Sequence, residues 1–245
     1  LKAPSSNIMN KLARSALVLY SYDDNPDATD LTNMVRQSIQ LIAQFPLIVA
    51  HAYAAKVHYY DGGSLILHWP ISNFSIAENF LHSIRPDSKF TEEEARLLDL
   101  CLVLHAEHGG GNNSAFTCRV LSSSGTDTYS AIAAAVGSLK GPKHGGANKM
   151  VVDMFEDIKS NVKNWDDEEE LKNYLDLILN KKAFDKSGLV YGMGHAIYSV
   201  SDPRAKVFKG FVEKLAVEKN MESEYRLHTN VERIAAELIA KERNI

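Results

Sequence analysis

One histidine is flanked by glycines between two helical patterns, in the segment GPKHGGAN (141–148). Glycine lets a backbone approach a ligand closely. The unpaired N–H groups at the start of the following helix favour an anion or a developing oxyanion. A histidine held there can donate a hydrogen bond to a carbonyl oxygen that gains negative charge. The segment therefore predicts a catalytic role for His144, and the competing interpretation is a Gly-Pro turn with an incidental surface histidine.

Two further histidines have the same kind of setting. His108 precedes GGG (109–111), and His195 follows GMG (192–194). A lone histidine is most often structural, but three of them in glycine-bearing loops at helix ends indicate a site. His105 and His108 also raise the possibility of a metal. Their spacing suits a metal only loosely, and no carboxylate set or His-Glu-x-x-His motif accompanies them, so a metal site is disfavoured.

Arg204 stands in the first turn of a predicted helix, after Asp202 as the N-cap and Pro203 as the first helical residue. A cation at this position opposes the helix dipole, at a cost of roughly a few tenths of a kcal/mol. The cost is easier to understand if Arg204 faces an anionic ligand, and its planar fork suits a carboxylate. The alternative is an ordinary surface arginine.

Composition excludes several classes of protein. The chain has 245 residues, of which 45% are hydrophobic and 24% are charged, as in a globular protein. The net charge of -4 leaves no general basic surface for nucleic acid. No run approaches the roughly 18 apolar residues of a membrane span. Cys101 and Cys118 lie in apolar helical patterns without metal-ligand spacing, which indicates reduced core residues of an intracellular protein.

Helical periodicity dominates the chain and predicts roughly ten helices with at most one small β element, hence an all-α protein. Pro46 is expected to interrupt one apolar stripe, so that a new helix runs from Leu47 to Tyr60. Leu65 to Trp69 is expected to form a short strand or a loop held down by its apolar side chains. Two capping boxes are expected to open helices, one formed by Thr91 and Glu94 and the other by Thr229 and Glu232.

Three segments resemble the citrate synthase family. They are LHAEHGGGNNSAFTCRV (104–120), LKGPKHGGAN (139–148) and YGMGHAIYSVSDPRA (191–205). Their order, their approximate separations and their all-α setting also match, and the resemblance extends from about Tyr20 to Ile245. It implies a homodimer in which a large and a small helical domain close on substrate. We expect residues 1–140 to belong to the large domain and residues 141–245 to form the small one.

The resemblance also implies a reaction, the condensation of acetyl-CoA with oxaloacetate and the hydrolysis of citryl-CoA to citrate and CoA, in the tricarboxylic acid cycle. By motif, His144 corresponds to the histidine that stabilises the enol of acetyl-CoA, and His195 to the one that polarises the oxaloacetate carbonyl. Substrate-binding positions fall on His108, Asn112 and Arg204. The loop around the CoA adenine falls on Gly192, Met193 and Gly194. Acetyl-CoA is a substrate here, and no tightly bound cofactor or metal is expected.

One departure from the family concerns the base. The family's catalytic aspartate lies in an Asn-Val-Asp-like segment downstream of the region that matches Ile245, and no Asn-Val-Asp occurs here. We therefore expect a truncated or proteolysed chain, or a full product that extends beyond these residues. Apolar helix faces that pack against the missing helices or the partner subunit would then be exposed.

Three alternatives stay open. The nearest is a 2-methylcitrate synthase, which uses the same motifs with propionyl-CoA. The second is a catalytically silent fragment that retains the fold for binding or assembly, and the third is a histidine metalloprotein. The charge and the lack of a leader favour a cytoplasmic protein without a membrane or nucleic-acid partner.

Overall fold

Helices make up the ordered elements of the chain, as the sequence predicts. The structure is a computed structural model that describes residues 3–107, 109–193 and 202–243, and no strand occurs among these residues. Within the same ranges the α-helices, in chain order, are α1 (Ile8–Leu19), α2 (Leu31–Tyr60), α3 (Ile76–Ile84), α4 (Glu92–His105), α5 (Asn113–Ser122), α6 (Thr128–Leu139), α7 (Gly146–Asn161), α8 (Glu168–Leu179), α9 (Pro203–Glu218) and α10 (Glu222–Arg243). A short 3-10 helix, Tyr20–Tyr22, follows α1.

Many helices begin at capping side chains that are recognisable in the sequence. The Thr91 hydroxyl accepts the Glu94 N–H at 3.2 Å, and the Glu94 carboxylate accepts the Thr91 N–H at 2.7 Å. This reciprocal pair confirms the predicted capping box of α4. Asp127, Asp167 and Asp202 cap α6, α8 and α9 through their carboxylates. Each cap satisfies backbone donors that the first helical turn leaves unpaired.

The prediction that Pro46 interrupts a helix is wrong, because α2 continues through it from Leu31 to Tyr60. Proline removes one backbone donor and crowds the preceding turn, which usually bends a helix or ends it. Here Leu41 before the proline and Ala50 after it are both buried. Since α2 packs against both α1 and α3, burial on the two sides of Pro46 outweighs the loss of one hydrogen bond.

The second capping box, predicted at Thr229 and Glu232, is also absent from the structure. Helix α10 begins at Glu222 and runs through Thr229 without a break. The reason is that the buried stripe starts earlier than the motif, at Leu227, and continues one turn later at Val231. A continuous helix keeps both side chains on the same packed face.

The segment from Leu65 to Trp69 forms a loop, which confirms one of its two predicted alternatives. The apolar side chains do not hold it down, because Leu65 remains 38% exposed and Trp69 80% exposed. Histidines fix the loop instead. The His51 Nε2 atom lies 3.3 Å from the carbonyl oxygen of His68, and the His68 Nε2 atom lies 3.1 Å from that of Pro86.

The chain divides into two compact units, Leu1–His144 and Gly145–Ile245. In the first unit α6 packs against both α1 and α5, and α2 packs against α1 and α3. In the second, α10 packs against α8 and α9. The assignment of residues 1–140 and 141–245 to a large and a small domain stays a prediction.

A buried carboxylate joins three parts of the first unit. Asp23, whose side chain is 2% exposed, accepts the Tyr129 hydroxyl at 2.6 Å and the Arg36 guanidinium at 2.7 Å. Gln37 Nε2 adds a third donor at 3.1 Å. The Tyr129 hydrogen bond and the Arg36 guanidinium hold the pKa of the Asp23 carboxyl well below its usual range, against the opposing effect of burial. Burial and the Asp23 contact raise the pKa of Tyr129 to about 12. We call these four residues the Asp23 junction.

The core of the second unit consists of large aliphatic and aromatic side chains. The members that are fully buried come from α7, α8 and α10: Met154, Ile158, Leu171, Leu175, Ile178, Leu227 and Ala235. Tyr191 and Met193 of the following loop pack against this core. The loop that carries the GMG segment is therefore anchored on one side by the core of its own unit.

Helices α1 and α2 leave many large apolar side chains exposed. They include Leu17, Val18, Leu31, Met34, Val35, Ile39 and Ile42. By length and composition alone α2 could cross a membrane, since its most apolar 18-residue window has a mean hydropathy of 1.3. A helix of a globular domain passes the same test, and α2 packs against α1 and α3. The absence of a membrane partner stays a prediction.

Candidate active site

His144 lies in the turn between α6 and α7, and its ring contacts a serine from α5. The His144 Nε2 atom is 2.8 Å from the Ser114 hydroxyl oxygen. The backbone N–H of His144 donates to the Gly141 carbonyl oxygen at 3.0 Å, which closes the turn. When the Ser114 hydroxyl donates to Nε2, the neutral imidazole carries its proton on Nδ1. In that arrangement Nδ1–H is available as a donor to a ligand.

Ser114 is the site residue that the motif analysis missed. It lies within the 104–120 segment, but no spacing rule relates it to His144, which is 30 residues further along the chain. The helix that carries it is capped by Asn112, whose side chain accepts the N–H groups of Ser114 and Ala115 at 2.9 and 3.2 Å. This cap fixes the first turn of α5, and with it the direction of the Ser114 side chain.

A cleft of about 250 Å³ opens at the loop that precedes α5. Its walls come from the end of α4, the glycine loop and the start of α5: His105, Ala106, Glu107, Gly109, Gly110, Asn112 and Ala115. Gly109 has a φ of +77°, a conformation that side chains other than glycine rarely adopt. The Glu107 carboxylate accepts the Gly109 N–H. Asn112, predicted to bind substrate, thus lines a cleft while its amide oxygen caps α5.

Arg204 forms an ion pair with its own N-cap residue. Its Nη2 atom lies 2.6 Å from Asp202 Oδ2, and its Nε atom lies 3.1 Å from each of the two carboxylate oxygens. This pairing explains how a cation is accommodated in the first turn of α9, since the carboxylate offsets its unfavourable position at the positive end of the helix. An anionic ligand is therefore not needed to explain the position, and the predicted contact of Arg204 with substrate stays a prediction.

The loop before the third histidine is tightly shaped. Gly192 has a φ of +88°, and a Cβ atom at this position would lie 3.4 Å from Cγ2 of Val151. The Met193 N–H donates to the Val190 carbonyl oxygen at 3.2 Å. The positive φ favours glycine at 192, and Met193 packs against the core of the second unit. The predicted contact of this loop with CoA stays a prediction.

Three of the predicted site residues, His108, Gly194 and His195, lie outside the described residues. Among the residues that the structure does describe, no three histidine, cysteine or acidic side chains are grouped so that they could hold a metal ion.

The His105 Nδ1 atom lies 2.7 Å from the Cys101 carbonyl oxygen. Burial raises the pKa of the Cys101 thiol, which makes it less reactive than a free cysteine.

Comparisons with known proteins point to one family. The family model described as "Citrate synthase, C-terminal domain" matches residues 1–245. A citrate synthase of Deinococcus radiodurans is 34% identical over 212 residues, 86% of this chain and 51% of that protein. A 2-methylcitrate synthase of Shewanella oneidensis is 32% identical over 188 residues, 77% of this chain and 45% of that protein. The chain thus spans about half the length of the curated relatives it matches.

A solved structure shares the fold. It is the ternary complex of carboxymethyl coenzyme A and oxaloacetate with citrate synthase from Thermoplasma acidophilum, with a TM-score of 0.73 and 24% identity, over 96% of this chain and 57% of that one. The likeness covers the helices of both units. Because the family model matches the chain from its first residue to its last, and the three glycine–histidine motifs occur in it, the chain belongs to the citrate synthase family.

Proposed function

We propose that the protein carrying this chain is an acyltransferase that condenses acetyl-CoA with oxaloacetate and hydrolyses the resulting thioester to citrate and CoA. The observation that carries the proposal is the contact of His144 with Ser114 at the glycine-flanked turn. It leaves one ring nitrogen of His144 available as a donor. The names of the relatives support the same reaction, and a related fold binds oxaloacetate together with a CoA analogue.

The proposed chemistry begins with the loss of a proton from the acetyl methyl group to a base. Negative charge then develops on the thioester oxygen, and the Nδ1–H of His144 stabilises it by donating a hydrogen bond. The enol carbon attacks the ketone carbon of oxaloacetate, and the ketone oxygen takes up a proton as the new carbon–carbon bond forms. Water finally cleaves the thioester, which gives citrate and the free thiol of CoA.

The base of the first step is not assigned to a residue of this chain. No hydrogen bond joins His144 to a carboxylate among the described residues. The proposed reaction therefore concerns the protein expressed from its complete reading frame. His195 is proposed to polarise the oxaloacetate carbonyl, by its position in the third motif.

We also propose a homodimer that works in the cytoplasm as part of the tricarboxylic acid cycle. The support for a homodimer is the exposed apolar surface of α1 and α2, where Leu31 is 74% exposed and Ile39 is 62% exposed. Monomeric proteins rarely expose large contiguous apolar patches. A second copy of the chain would cover the same surface on both subunits.

The acyl group is the point on which the two enzyme hypotheses differ. Rates with acetyl-CoA and with propionyl-CoA, each at saturating oxaloacetate, separate a citrate synthase from a 2-methylcitrate synthase. Mass spectrometry of the product identifies citrate or 2-methylcitrate directly. We expect citrate as the main product, and a higher kcat/KM for propionyl-CoA would favour the alternative represented by the Shewanella relative.

Ser114→Ala should lower kcat roughly ten-fold, the effect of losing one hydrogen bond that orients His144. Ser114→Thr retains a hydroxyl and should recover most of the rate. Steady-state kinetics of both variants would check this. An alanine variant with wild-type kcat would show that Ser114 does not position His144.

A further inference from the structure

Three consecutive residues at the start of α5 make three different contacts. Asn112 caps the helix through its side-chain oxygen. Ser114 contacts the ring of His144. Asn113, the first residue of the helix, donates from its Nδ2 atom to the Ser138 hydroxyl oxygen, in the last turn of α6, at 2.7 Å. One short segment therefore contacts both the end of α6 and the histidine that follows it.

Backbone hydrogen bonds continue this connection from Ser138 to His144. The Ser138 carbonyl oxygen accepts the Gly141 N–H at 3.1 Å, and the Gly141 carbonyl oxygen accepts the His144 N–H at 3.0 Å. A Cβ atom on Gly141 would lie 3.3 Å from the Ser138 carbonyl oxygen, so the turn is tight. The hydrogen bonds thus form a closed ring that leaves α5 at Asn113 and returns to it at Ser114.

The register between α5 and α6 decides whether Ser114 meets the imidazole. The two helices pack against each other, but packed helices can slide past one another by small amounts. The hydrogen bond between Asn113 and Ser138 opposes such sliding, because it joins one particular atom of each helix over a short distance. A displacement of about 1 Å at a catalytic group can lower a rate by as much as 10².

We propose that Asn113 is a positioning residue that keeps the turn of His144 in register with Ser114. Its amide acts through the imidazole and touches no reacting atom. This role gives a reason for asparagine at the first position of α5, since Asn112 already caps the helix and asparagine is a weak helix former. The proposal rests on the proposed function, in which His144 is the donor to the thioester oxygen.

Asn113→Ala should lower kcat about three- to ten-fold, the effect of losing one hydrogen bond that water can partly replace. KM for oxaloacetate should stay within about two-fold of wild type, because the role of His144 concerns the thioester. Ser138→Ala removes the other partner and should have the same effect, whereas Ser138→Thr retains the hydroxyl and should recover most of the rate. Ser123→Ala is the matched control and should leave kcat unchanged, since its hydroxyl donates at the same 2.7 Å to a carbonyl oxygen at the opposite end of α5.

The double variant Asn113→Ala/Ser114→Ala separates positioning from a general effect on stability. If Asn113 acts through the Ser114 contact, the double variant should lose about as much kcat as Ser114→Ala alone, roughly ten-fold. Independent effects would multiply to about thirty-fold or more, and that result would overturn the proposal. Wild-type kcat in Asn113→Ala, or an equal loss in Ser123→Ala, would overturn it as well.

Nuclear magnetic resonance of the imidazole needs no turnover and so separates this proposal from the proposed function. Proton–nitrogen correlation spectra report which ring nitrogen carries the proton and how the other is hydrogen-bonded, and the His144 signals are those that His144→Ala removes. We expect the Nε2 signal to move in Asn113→Ala towards its position in Ser114→Ala. An unchanged signal would overturn the positioning role, whatever the rate of thiol release. A moved signal in a protein that releases no thiol from acetyl-CoA would support the positioning role and contradict the proposed reaction.

Discussion

His144→Ala should lower kcat for condensation by roughly 10² to 10³, the effect of removing one hydrogen-bond donor to a developing oxyanion. The enol oxygen would lose the Nδ1–H donor that the Ser114 contact leaves available. Binding of oxaloacetate should remain largely intact, because the proposed role of His144 concerns the thioester. Steady-state kinetics with both substrates, together with titration of oxaloacetate, measure the two effects separately.

His58→Ala is the matched control for this variant. His58 belongs to the same unit, and its Nδ1 atom lies 3.0 Å from the Gly63 carbonyl oxygen, in a turn without any of the three motifs. Its loss should leave kcat within about two-fold of wild type, as for a substitution away from the active site. Wild-type turnover in His144→Ala would remove His144 from the mechanism. An equal loss in both variants would point to damage to the fold of the first unit.

Asp23→Ala should destabilise the first unit by about 3 kcal/mol, because it leaves the donors of Tyr129, Arg36 and Gln37 without their shared acceptor. Half of the Arg36 side chain is exposed, so water can solvate that partner, and the cost stays at the lower end of the range for a buried pair. Urea unfolding followed by circular dichroism measures the loss. Hydrogen exchange resolved by segment would place it in α2 and α6.

Asp24→Ala is the control, since Asp24 is the exposed acidic neighbour of the same turn. It should change the free energy of unfolding by less than about 0.5 kcal/mol. A loss in Asp24→Ala as large as in Asp23→Ala would mean that the net charge of the turn matters and the Asp23 junction does not.

The Asp23 junction also predicts how stability depends on pH. The folded pKa of Asp23 lies below that of the unfolded chain. The unfolded state therefore binds the proton first as the pH falls, and stability decreases. The contribution of Asp23 to the free energy of unfolding should be complete above the pKa of the unfolded chain, about 4, and should decrease below it. The difference in unfolding free energy between the wild type and Asp23→Ala should be constant from pH 7 to about pH 5 and should begin to narrow by pH 3, because it disappears completely only below the folded pKa. A constant difference down to pH 3 would contradict the lowered pKa.

Local signals in the sequence predicted most of the fold. Asp202 caps the helix that it was expected to open, because capping depends on a few consecutive residues. The two failures, at Pro46 and Thr229, have one cause. Both residues carry a local signal for a helix boundary, but in each case a buried stripe continues across it. Tertiary burial outweighs such local preferences, and neighbouring residues alone do not reveal it.

The site was only partly predictable, for a different physical reason. His144 could be identified because glycines on both sides mark its turn. Ser114 could not, since its significance depends on a contact with His144 that only the fold creates. The helix dipole alone does not explain the position of Arg204, because the guanidinium forms an ion pair with Asp202 in the structure. Contacts between elements thus decide the roles that residue types alone leave open.

The most direct test of the proposed reaction is the release of free thiol from acetyl-CoA by the protein expressed from its complete reading frame. Oxaloacetate and acetyl-CoA are supplied together, and each is omitted in turn. We predict thiol release that requires both substrates and falls by roughly 10² or more in His144→Ala. Release without oxaloacetate would indicate simple thioester hydrolysis. No release with both substrates present would contradict the condensation and would favour a catalytically silent member of the family.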